Sequence, residues 1–214
     1  MNITLATKEF SDALQIGGSY ASGGIKRVLP ITECVKIEIK EGVLRIFSTD
    51  SENSISKRYG DVECNDYSFC VQYKDIIEYV KMIDSTHLSI EVSADDKQVT
   101  ISHDNGSMKL PLYDEKEFPT IPFAEKDDVN YKIDANQLKL WMKIGEPFLK
   151  NDPLKTVNES LYFDFSREET SFCAGDGSGI IYGFLKGDSG IEKMSVIINK
   201  TNFRNIINAI GSAD

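Results

Sequence analysis

Histidine is scarce in this chain: His87 and His103 are the only two among 214 residues. No Ser-His-Asp set and no metal-ligand set can be assembled around them, so nucleophilic and zinc chemistry find no starting point. Cysteine is sparse too. Cys34, Cys64, Cys70 and Cys173 are scattered, with no Cys-x-x-Cys pair. That spacing excludes zinc-ribbon and thioredoxin-type motifs and fits free, buried thiols in a reducing cytoplasm. Long apolar runs are missing: no stretch approaches the roughly 20 residues of a membrane span. The opening Met1-Asn2-Ile3-Thr4-Leu5-Ala6-Thr7 lacks the basic and apolar regions of a signal peptide. A cytoplasmic protein without membrane contact is therefore expected. The sequons at Asn105-Gly106-Ser107 and Asn158-Glu159-Ser160 are then chance. Positive charge is in deficit, with 24 Lys and Arg against 34 Asp and Glu and a net charge of −10. Bulk attraction cannot coat nucleic acid with such a chain, although basic residues gathered on one surface could still meet phosphates.

The glycine-rich Gly175-Asp176-Gly177-Ser178-Gly179 looks like a catalytic or phosphate loop and fails each test. A nucleophile elbow needs glycines two away on both sides of Ser178, where Asp176 and Ile180 stand. A dinucleotide fingerprint needs glycine at Ile180, and no Gly-Lys-Ser/Thr follows to make a P-loop. A turn between strands is the reading that remains. Asp95-Asp96 is likewise a turn pair, not a carboxylate dyad.

What the chain does have is a repeat. Val43-Leu44-Arg45-Ile46-Phe47-Ser48-Thr49-Asp50 is echoed by Thr170-Ser171-Phe172-Cys173-Ala174-Gly175-Asp176. Cys70-Val71-Gln72-Tyr73-Lys74-Asp75-Ile76-Ile77 is echoed, at the same spacing, by Val196-Ile197-Ile198-Asn199-Lys200-Thr201-Asn202-Phe203. Phe10, Leu14 and Ile16-Gly17 match Leu138, Met142 and Ile144-Gly145 at a slightly wider spacing. One unit used twice points to a symmetric assembly rather than to a single catalytic pocket.

The patterning predicts a strand over 2–5 and a helix from 7 with Thr7 as N-cap. Strands follow over 35–40, 43–48, 55–59 and 67–71. A second amphipathic helix covers 74–83. Strands over 88–92, 99–101 and 108–112 follow, the last after an Asn105-Gly106 hairpin signal. The first copy thus divides into two strand-helix-strand-strand-strand halves. Residues 114–128, charged and carrying Pro119 and Pro122, read as a linker. The second copy opens with Tyr131 and Ile133, a helix over 135–144 and strands over 161–165, 171–173 and 194–198. It closes with a helix over 202–210. Three strands that follow the second helix in the first copy have no counterpart in the second, so a fragment of a longer protein is expected.

Val28-Leu29-Pro30-Ile31 after a glycine-rich loop, the hairpin ending Ser48-Thr49-Asp50 and the closing Glu117-Phe118-Pro119 resemble the bacterial sliding clamp family, the beta subunit of DNA polymerase III. Ala174-Gly175-Asp176-Gly177 stands where that family has Ala-Thr-Asp-Gly. The resemblance runs along essentially the whole chain and lies in the order and spacing of short motifs. It implies an α+β processivity fold, with helices on an inner wall and sheets outside. Residues 1–122 would be the first clamp domain and 129–214 an incomplete second, with the third absent. The implied role is non-enzymatic and needs no cofactor: a homo-oligomeric ring around double-stranded DNA that tethers the replicative polymerase, with polymerase and clamp loader as partners. DNA-facing residues carried over are Lys26, Arg27, Lys150, Asn151 and Lys155, with Lys200 and Arg204 flanking the start of the last helix. Tyr79, Ile83, Met108 and Leu110 match the subunit interface, though an apolar stripe at helical spacing is more often core. Gly177 and Ile180 match one side of the partner-peptide pocket. There the family's His-Arg pair is replaced by Ser178-Gly179 and its Thr by Gly175. Two other readings stay open: a two-domain clamp that trimerises, and an α+β enzyme with a deep polar pocket.

Overall fold

The computed structural model describes residues 1–21, 29–93, 95, 97–121, 133–150, 156–166, 168–186 and 193–211. The chain divides into two compact units, Met1–Pro122 and Phe123–Asp214.

In the first unit β1 (Asn2–Ala6), α1 (Thr7–Gly17), β2 (Cys34–Lys40), β3 (Val43–Thr49) and β4 (Ser54–Asp61) form one half. The second half is β5 (Tyr67–Gln72), α2 (Tyr73–Lys81), β6 (His87–Ser93), β7 (Gln98–His103) and β8 (Gly106–Pro111). The halves exchange their first strands. The sheets run β4-β3-β2-β5 and β1-β6-β7-β8, with every neighbouring pair antiparallel. Alternation does the folding locally. In β2 Val35, Ile37 and Ile39 are buried, while Lys36 and Glu38 pair outside at 3.1 Å. Glu41 and Gly42 both take positive φ, 53° and 75°, as a two-residue hairpin turn of the twist-matched kind demands. Both helices bury one face in the core shared by the two sheets, through Phe10 and Leu14 of α1 and Ile76 and Val80 of α2. A Cβ on Gly17 would lie 2.8 Å from Ile46 Cγ2, so the glycine lets α1 settle directly onto β3.

The start of α1 differs from expectation. Ala6 is the N-cap and Thr7 the first helical residue, with its hydroxyl buried and unpartnered. The opening N–H groups are satisfied from elsewhere in the fold: Ala6 N–H donates to Tyr59 Oη at 2.9 Å and Thr7 N–H to the Thr86 carbonyl at 2.9 Å. The expected linker also begins late. Asp114 caps a 3-10 turn over Glu115–Glu117, and Phe118 is buried with Ile31, Cys34, Phe47 and Cys70. Residues 122–132, including Tyr131, lie outside the described residues.

The second unit repeats the first half-pattern: α3 (Ala135–Gly145), β9 (Ser160–Ser166), β10 (Glu169–Gly175), β11 (Ile180–Lys186), β12 (Lys193–Asn199) and α4 (Lys200–Gly211). Its sheet, β11-β10-β9-β12, has the topology of β4-β3-β2-β5. Asp134 caps α3 by accepting from Gln137 N–H at 2.9 Å. The helices lie side by side over an aromatic core, where Trp141 stacks on Phe172 at 5.1 Å and Phe163 meets Phe203 at 5.5 Å. Strand β11 is the element that alternation does not predict, because Ile-Ile-Tyr-Gly-Phe-Leu-Lys is apolar on both faces. Ile133 is in no strand.

Candidate nucleic-acid interface

The helices of the second unit are unusual in charge. α3 carries Lys139 and Lys143, α4 carries Lys200 and Arg204, and neither contains an aspartate or glutamate, in a chain of net charge −10. In the first unit α1 and α2 mix signs, with Lys8, Glu9 and Asp12 on one and Lys74, Asp75, Glu78 and Lys81 on the other. Four-residue spacing places Lys139 with Lys143, and Lys200 with Arg204, on one face of their helix. Lys143 is exposed and Lys139 half-buried. The apolar residues Trp141, Met142 and Phe203 turn the other way, into the core.

One carboxylate enters this face. Glu146, the first residue beyond α3, accepts from Arg204 Nε at 3.1 Å and from Arg204 Nη2 through the same oxygen. Lys200 Nζ lies 3.6 Å from that oxygen. The hydrogen bond from Arg204, more than the surrounding charge, holds the Glu146 carboxyl below its ordinary range. Lys150 is exposed, and its N–H donates to the Asn158 carbonyl at 2.9 Å. Lys26, Arg27, Asn151 and Lys155 lie outside the described residues. Lys139 and Lys143, which the sequence analysis does not single out, were visible there as the only charges of an acid-free helix.

Gly177 lies within the β10–β11 turn, and Ile180 is the first residue of β11. Gly177 needs its φ of +87°. Asp176 Oδ1 accepts from Ser178 N–H at 2.9 Å, Ser178 Oγ at 2.7 Å and Gly179 N–H at 2.9 Å. The Ser178 hydroxyl, then these amides, push the Asp176 carboxyl down to about 2. The glycine run is thus a turn held by its own aspartate. Ile180 is 73% exposed and opens an apolar strip with Tyr182 and Phe184 along β11. That strip continues across the sheet through Cys173, Tyr162 and Ile197, which are in register with Tyr182.

At the expected subunit interface, α2 and β8 come together. Ile83 and Leu110 are buried in the core of the first unit and offer a neighbour little surface. Tyr79 and Met108 are only partly buried, Tyr79 tilting onto His103 with ring centroids 5.9 Å apart. β8 is the end strand of its sheet, so one row of its backbone groups faces outward.

The family model for the DNA polymerase III beta subunit, N-terminal domain, matches residues 1–122. The chain belongs to the DNA polymerase III beta subunit family. Among solved structures, this beta-subunit chain superposes on that of Thermotoga maritima with a TM-score of 0.84 at 18% identity, covering 100% of this chain and 57% of that one. A putative beta subunit of Eubacterium rectale gives 0.88 at 17%, covering 100% and 58%. The Helicobacter pylori beta clamp bound to a DNA ligase peptide gives 0.81 at 17%, covering 97% and 58%. This beta-family chain therefore spans less than three fifths of the length of these relatives. No curated protein sequence matches it. The α+β clamp fold of repeated antiparallel sheets and helices is the one these structures share.

Proposed function

We propose that this chain is the DNA-holding part of a sliding clamp, a ring subunit that tethers the replicative polymerase to duplex DNA and performs no chemistry itself. One observation carries the reading: the two helices of the second unit hold four cations and no acid within a strongly acidic chain. A ring holds DNA by topology, so a few Lys and Arg facing phosphates suffice and no base needs to be read. Lys26, Arg27, Lys150, Asn151 and Lys155 are proposed as further phosphate contacts. Ring closure is proposed through the outward edge of β8 with Tyr79 and Met108. Partner peptides, such as the ligase peptide on the Helicobacter pylori clamp, are proposed to use Ile180 and the apolar strip beyond it.

The test is retention on nicked circular plasmid after loading, compared with the same plasmid linearised, using the full-length protein. Retention on the circle and loss from the linear form is expected. Equal retention on both would remove encirclement. Changing Lys139, Lys143, Lys200 and Arg204 together to Gln is expected to flatten the salt dependence of DNA binding by up to about four units of log–log slope. An unchanged slope would take the helices off the DNA.

A further inference from the structure

We propose that Glu146 is a built-in competitor of the DNA backbone: its carboxylate occupies Lys200 and Arg204 until a phosphate displaces it, which keeps the helical face loosely rather than tightly held. The inference rests on α3 and α4 forming the DNA face.

The geometry is that of an exchangeable anion site. Arg204 presents both Nε and Nη2 to one Glu146 oxygen, and Lys200 Nζ stands 3.6 Å from it. Two cations share one carboxylate, so this corner carries about half the charge its sequence suggests. A phosphate oxygen can take the same guanidinium fork that the carboxylate now fills. The three side chains are 29%, 55% and 36% exposed for Lys200, Arg204 and Glu146, so breaking the pair costs little. Glu146 stays ionised because Arg204 hydrogen-bonds its charged form. Each phosphate that arrives therefore replaces an anion instead of meeting a free cation. The gain per contact is small, and so is the barrier to leaving it. A protein that must move along DNA benefits from contacts of this kind.

The experiment uses Glu146→Gln in the intact chain, with Lys200→Gln/Arg204→Gln and the triple variant beside it. Binding to a labelled duplex of random sequence is followed by fluorescence anisotropy over a range of salt. Glu146→Gln is expected to bind about fivefold tighter at low salt, with a log–log slope steeper by about one. Lys200→Gln/Arg204→Gln should bind more weakly, and the triple variant should equal it. If Glu146→Gln has no effect while the double variant weakens binding, the competitor role is wrong and the DNA face stands. Equal tightening by Glu146→Gln in the double-variant background would make the effect one of net charge and overturn the proposal. If the double variant binds like wild type, α4 is off the DNA and both ideas fall. Glu146→Ala serves as the second variant, with Trp141 fluorescence checking that each protein is folded.

Discussion

Asp176 concentrates three hydrogen bonds on one oxygen, and that alone gives the β10–β11 turn a pH signature. An unfolded aspartate titrates near about 4, whereas the folded one is held at about 2. The fold favours the ionised form, so its contribution is fully present above about pH 4 and is lost as pH falls through about 2. A carboxyl carbon titration followed by NMR is expected to place the Asp176 midpoint near 2. A midpoint near 4 would dissolve the proposed turn network. At the same scale, Gly183 stands opposite Phe172 in the strand register. The Phe172 ring covers the space a Cβ would need, which explains a glycine in the middle of an otherwise apolar strand.

Helix α1 shows how an element can be secured by its surroundings. Its N-cap, Ala6, has no side-chain acceptor to offer, and Tyr59 of β4 supplies the oxygen that receives the Ala6 N–H. Tyr59→Phe removes that acceptor and leaves a partly buried donor unpaired. It is expected to cost about 1–3 kcal/mol, read from the urea midpoint. A midpoint equal to wild type would mean that water replaces the phenol. Elements were legible in the sequence where one face is buried and the other wet, as in β2 and α2, because alternation and helical spacing both record burial. They were not legible where both faces are apolar, as in β11. The site divided in the same way. Lys200 and Arg204 could be picked out as cations near a helix start. Glu146, 58 positions from Arg204, could not be joined to them until the fold set the end of α3 beside the start of α4. Ile83 and Leu110 show a different limit: the resemblance set them at a subunit interface, apolar residues at such positions are as often core, and only the fold shows that both are buried within the first unit.

At the scale of the whole molecule the two units are unequal. The first wraps two sheets and two helices around one core, and the second, among its described residues, has a single sheet with two helices. Less buried apolar surface means less stability. Trp141 is the only tryptophan, it is buried in the second unit, and it reports that unit alone. In a urea titration its fluorescence is expected to change at lower denaturant than the loss of exchange protection at Ile90 and Ile101 in the first unit. Coincident transitions would instead mean that the units unfold as one body. The exchange of first strands within the first unit also dictates an order of events during synthesis. Within this unit β1 is made before the other strands, but its sheet neighbour among the described residues, β6, is not translated until residues 87–93. The opening segment must wait unpaired through most of the unit's translation, so its sheet closes only near the end of the unit's synthesis, although β4-β3-β2-β5 has all its strands by residue 72.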